Sequence, residues 1–116
     1  MSLKDSYVSA LETLAVAIPA GANQSAPLDL GGLRLFAIAP SVTFLSCNVT
    51  FQMSPDGGKS WFDLLNQDGQ AITALVSPAA CTVLDPKQFA CLQHLRINFG
   101  SAQSAACTLS LIARAV

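Results

Sequence analysis

Apolar and polar residues alternate one for one through much of this chain. In residues 46–54, Cys47, Val49, Phe51 and Met53 interleave with Ser46, Asn48, Thr50, Gln52 and Ser54. Successive side chains of a β-strand point to opposite faces, so a period of two makes a ribbon with one apolar and one polar side. The same order wound at 3.6 residues per turn would scatter the apolar groups around a helix and bury none of them together. Leu14, Val16 and Ile18 repeat the pattern in residues 12–18, Ile72, Ala74 and Val76 in 70–76, and Cys107, Leu109, Leu111 and Ala113 in 105–115. Shorter runs at 28–30, 60–65, 81–84 and 95–99 complete the set, and 33–39 is apolar on both sides apart from Arg34. Turn residues separate the runs, and Asp85 with Pro86 reads as the cap and first residue of a single helical turn. No connection is long enough for the crossover helices of a parallel sheet. The expected fold is therefore all-β, a single antiparallel β-sandwich of jelly-roll or Ig-like outline.

The 116 residues suit one domain. The division expected is an N-terminal arm at 1–11, which shows no clean period, and the sandwich at 12–116. Charged residues make up 11% of the chain, against roughly 25% in an average soluble domain. Such a surface is more comfortable covered by other proteins than bathed in water. With a net charge of −1 and no cluster of Lys or Arg, the chain lacks the cationic face that nucleic acid requires. No run approaches the roughly 18 apolar residues of a membrane-spanning helix. Residues 14–22 have an apolar core ending in small residues, but Asp5 offsets Lys4, Glu12 precedes the core and Pro19 interrupts it. They read as a strand and not as a secretion signal.

Ser54-Pro-Asp-Gly-Gly-Lys-Ser-Trp61 fits the Asp-box pattern of sialidases and other propeller glycosidases. A propeller needs several such boxes, and one is present. Sialidase chemistry also calls for clustered arginines and a nucleophilic tyrosine, whereas this chain has three arginines and a single Tyr, Tyr7, in the arm. The octet is read as a structural hairpin: Ser54 and Asp56 hold the turn, Gly57 or Gly58 supplies a positive φ, and Trp61 packs beneath. His94, the one histidine, shares a strand face with Arg96 and Asn98 and has no sequence neighbour to activate, so it is read as a surface or interface residue. Asp56, Asp63 and Asp68 lack the close spacing of a calcium loop and are read as turn caps. Asn48-Val-Thr50 matches a glycosylation sequon in mid-strand. No catalytic group, metal or cofactor is expected, and the chain is not read as an enzyme.

Cys47, Cys81, Cys91 and Cys107 are not spaced as zinc ligands. Two readings stand side by side. One is buried free thiols, since Cys47 and Cys107 continue apolar stripes. The other is at least one disulfide, within or between chains. Cys81 and Cys91 flank a short turn, and a bridge there would add roughly 3 kcal/mol by loop entropy.

The order of segments resembles a group of small virion proteins of tailed bacteriophages. The resemblance runs over residues 17–115. It rests on a loop leading to Asp29-Leu-Gly-Gly32, on the Thr50-Phe-Gln52 hairpin with its Asp56-Gly57, and on Leu84-Asp-Pro-Lys-Gln-Phe-Ala90. Leu95-Arg-Ile97 ending in Gly100 and a closing Leu109-Ser-Leu111 complete it. It implies a capsid decoration protein on the outside of the virion head, made in the host cytoplasm and stabilising contacts between major capsid subunits. The expected partners are the major capsid protein and further copies of the chain, as dimer or trimer, with neither nucleic acid nor membrane. Contact is expected through Leu3, Tyr7 and Val8 of the arm and through the 40–46 loop. The four cysteines depart from the group's pattern and suggest a covalently reinforced particle. Two alternatives come with different signatures: a carbohydrate-binding head-fibre or adhesin module using Trp61 or Phe62, or a tail or neck adaptor.

Overall fold

Strand pairing follows one rule in the computed structural model, which describes residues 11–31, 33–89 and 93–115. The strands are β1 (Leu11–Ile18), β2 (Leu28–Asp29), β3 (Leu33–Pro40), β4 (Cys47–Ser54), β5 (Phe62–Asp63), β6 (Thr73–Val76), β7 (Thr82–Val83), β8 (His94–Phe99) and β9 (Cys107–Ala115). β1 pairs with β9, β2 with β8, β3 with β7 and β4 with β6, all antiparallel. The chain is thus one long hairpin, and the hairpin is wrapped so that successive pairs fall in different sheets. Ladders between β3 and β9 and between β4 and β8 close the wrap. The result is a four-stranded sheet, β1-β9-β3-β7, and a five-stranded sheet, β2-β8-β4-β5 with β6 also on β4. The expected all-β sandwich is present, and its strand order is that of a jelly roll and not of an Ig domain.

The alternating residues close the core. Leu35, Ile38, Leu109, Leu111 and Ala113 of one sheet meet Val49, Phe51, Leu95 and Ile97 of the other, every one at or below 1% exposure. Each large apolar side chain buried so fully contributes about 1.5–3 kcal/mol. A 3-10 turn at Pro86–Phe89 carries Phe89 into this layer. Asp85 accepts the N–H of Lys87 at 3.1 Å, as its capping role requires, and the Phe89 ring meets Phe51 edge-on at 5.0 Å. Phe44 and Phe99 make a second edge-on pair at 5.7 Å.

Several strands are shorter than the alternation implies. The expected strand at 60–65 keeps ladder pairing only at Phe62–Asp63, because hydrogen bonds to Asp56 hold residues 59 and 60 in the turn. The run at 70–76 pairs from Thr73 onward, since Asn66 accepts the N–H groups of Asp68 and Gln70 and forms a tight loop. Gly100 donates to the Asn48 carbonyl at 2.8 Å. A β-carbon there would lie 2.9 Å from the same oxygen, so only glycine fits.

Candidate interaction surface

On the five-stranded sheet, the central strands β4 and β8 turn polar residues away from the core, several of them bonded to one another, while Leu75, opposite Asn48 on β6, is 58% exposed. β8 contributes His94, Arg96 and Asn98, and β4 contributes Asn48, Thr50 and Gln52. Arg96 donates through Nε and Nη2 to Gln52 Oε1 at 2.9 and 2.6 Å. Gln52 Nε2 in turn donates to Asp63 Oδ1 at 2.9 Å, and Gln24 Nε2 to Asn98 Oδ1 at 2.8 Å. The Arg96 guanidinium also covers the Trp61 ring at 4.5 Å. These hydrogen bonds tie the Arg96, Gln52 and Asp63 row and the Gln24–Asn98 pair together across the strands.

The octet hairpin caps this sheet. The buried Ser54 hydroxyl accepts the Gly58 N–H at 2.8 Å and donates to Asp56 at 2.8 Å. Asp56 then accepts from the backbone N–H groups of Lys59 and Ser60 at 3.1 and 2.9 Å, and from the Ser60 hydroxyl at 2.6 Å. Hydrogen bonds from the Ser60 side chain and backbone, then from Ser54, pull the Asp56 carboxyl down to about 2. Gly57 and Gly58 both take positive φ, at 76° and 98°. These residues spend their polar groups on the turn. Among the described residues no group of three His, Cys, Asp or Glu side chains is gathered to hold a metal. Register sets His94 beside Asp29 and Ser54. The Ser54 proton goes to Asp56, however, and Asp29 accepts the Gly31 N–H at 2.9 Å, so no relay joins the three.

The outer face of the four-stranded sheet is built differently. Cys107, Leu109, Leu111 and Ala113 of β9 are buried, so Thr108, Ser110, Ile112 and Arg114 point outward. Register extends the last three into cross-strand rows: Ala15, Ser110 and Ala39; Thr13, Ile112, Ala37 and Val83; Leu11, Arg114 and Arg34. Small or apolar residues fill the first two rows, with Val83 82% exposed. The third sets Arg34 and Arg114 opposite each other in register. A bulge between Leu35 and Ala37 turns Phe36 outward, where Arg114 lies over its ring at 5.8 Å. Arg114 Nε is shielded from water and has no hydrogen-bond partner. Among the described residues this face carries no carboxylate, since Glu12 has the opposite parity on β1 and the aspartates lie on the other sheet or in loops.

The remaining expected sites fall as follows. Cys47, Cys81 and Cys107 are free thiols, and Cys91 lies outside the described residues. The expectation of a disulfide within the chain is corrected for those three. Cys81 is exposed on a loop, while Cys47 and Cys107 fill the core as small side chains. Burial, and then the neighbouring Cys47, push the Cys107 thiol upward and keep it protonated. Leu3, Tyr7 and Val8 lie outside the described residues. In the 40–46 loop Phe44 is buried, and Val42 and Leu45 are exposed at 81% and 44%.

One buried polar residue escaped the sequence reading. Gln103 is 0% exposed. It accepts the Leu45 N–H at 2.7 Å and donates to the Leu45 and Ser101 carbonyls at 3.3 and 3.4 Å. Its own N–H bonds Ala22 at 2.9 Å. A glutamine between Ala102 and Ser104 has no local signature of such a role, because its partners lie far away in sequence.

No family model matches the chain, and no curated protein matches it. Among solved structures, it is similar to the SPBc2 prophage-derived protein YomS, with a TM-score of 0.54 and 14% identity over 91% of this chain and 96% of that one. At that identity the likeness is one of fold, over most of the chain.

Proposed function

We propose that the chain is a structural protein of a tailed-bacteriophage virion, of the capsid-decoration type, binding the outer head surface across adjacent major capsid subunits. The observation that carries this reading is the unequal exterior of the sandwich. One sheet presents a central polar row linked by side-chain hydrogen bonds, and the other presents a broad field of alanine, serine, threonine and isoleucine. A wide, weakly charged face on a stiff module suits packing against a protein lattice. There, many modest contacts gain strength from repetition. The order of the sequence motifs supports the same reading, as does the fold shared with a prophage-derived protein.

Quantitative mass spectrometry of purified virions, with labelling of the intact head exterior, tests it. The expected result is a surface-accessible chain with a copy number comparable to that of the major capsid protein. A copy number matching a single ring would mark a tail or neck adaptor, and absence from the head exterior would overturn the reading. The carbohydrate-binding alternative draws on one observation, the 56% exposed Phe62. Trp61 beside it is already covered by Arg96, which leaves a single ring for sugar stacking.

A further inference from the structure

Arg34 and Arg114 stand directly opposite each other on β3 and β9. Side chains in that position have β-carbons about 4.5–5.5 Å apart, and like charges there oppose folding. The chain has only three arginines. The third, Arg96, is held by Gln52 and Trp61 on the other sheet. The pair is not: Arg114 is steadied by Phe36, and its Nε has lost water without gaining an acceptor. Two arginines opposite each other in register, with no carboxylate on their face among the described residues, have one natural complement. A carboxylate offers two oxygens to each planar fork and removes the repulsion between them.

We propose that Arg34 and Arg114 form a receptor for a carboxylate side chain presented by a different protein, and that this contact anchors the outer face of the four-stranded sheet on its partner. A second copy docked by the same face cannot supply the group, because a two-fold contact brings the face against itself and that face carries no carboxylate among the described residues. The partner that fits this end of the face is a protein surface with Asp or Glu facing the arginines and small or apolar residues beyond. The proposal rests on the head-binding reading for the identity of that partner.

The test is co-sedimentation of the full chain with phage heads that lack it, at two salt concentrations. Arg34→Gln combined with Arg114→Gln should weaken binding at least about thirtyfold, as expected when a paired charge loses its partner, and should flatten the salt dependence. Arg34→Lys with Arg114→Lys should restore part of the loss, because charge remains while the forks are gone. Arg96→Gln, on the opposite face, should leave binding unchanged. The thermal midpoint of the glutamine variant should equal or exceed that of the wild type, since a like-charge pair has been removed, so weaker binding cannot be ascribed to unfolding. Unchanged binding by the glutamine variant would overturn the receptor while leaving the head-binding reading intact. Failure of the wild type to bind heads would overturn both. A glutamine variant that changes the sedimentation mass of the free protein would assign the arginines to self-association and overturn the proposal in favour of a second copy.

Discussion

The two outer faces of this sandwich are made from the same alternating pattern, yet they meet solvent differently. On the five-stranded sheet Arg96, Gln52 and Asp63 form a continuous hydrogen-bonded row, and Trp61 is held beneath the arginine. On the four-stranded sheet the corresponding row is Ala15, Ser110 and Ala39, with nothing to bond across it. A polar ladder bonded to itself has little to gain from a partner. A flat field of small side chains gains by losing water, and it lets another surface approach closely. The difference separates what holds the fold from what is available to a ligand.

The comparison breaks most sharply at the centre of the small-residue field. Ser110→Lys should weaken head binding about a hundredfold, since a charge desolvated at an interface without a partner costs several kcal/mol. The thermal midpoint should barely move. Its mirror, Thr50→Lys on the other outer face, should bind as the wild type does. Equal loss from both lysines would show that the two faces are not functionally distinct. Next in size, Ser54→Ala leaves the Gly58 N–H without its acceptor beneath the hairpin. It should cost about 1–2 kcal/mol in denaturant melts with head binding intact. A stability loss accompanied by a binding loss would move the hairpin from the structural side of the comparison to the functional side. The smallest effect is one of pH. Asp56 is held at about 2, below its ordinary 3.8. Its contribution to the five-stranded side is therefore complete above the ordinary value and fades as pH falls toward 2. The Lys59 and Ser60 amide resonances should titrate with a midpoint near the lower figure. A midpoint at the ordinary value would mean that the turn does not favour the ionised form.

Much of this was legible along the chain, for reasons that differ by residue. Val49, Phe51, Leu109 and Leu111 announce their burial because strand parity is a local property. The Asp56 turn is equally local, since donors and acceptor lie within six residues. The Asp85 cap and the inward Phe89 follow from a short Asp-Pro segment in the same way. The cysteines were not legible. Whether Cys47 and Cys107 bridge or simply fill space depends on where two sheets bring their side chains, which spacing does not encode. Gln103 was missed for the same reason, its partners at Leu45 and Ala22 being on other loops. The small-residue face went unrecognised because Ala15, Ala39 and Ser110 become one surface only through the pairings of β1, β9 and β3.

Taken alone, the order of residues determined the all-strand class, the strand parity and the structural use of the octet, because each depends on neighbours a few positions apart. Folding in three dimensions decided the jelly-roll order, the burial of Gln103, the free state of the three described thiols and the meeting of Arg34 with Arg114. Those depend on which distant strands lie side by side, and antiparallel pairing can satisfy the same alternation in more than one order.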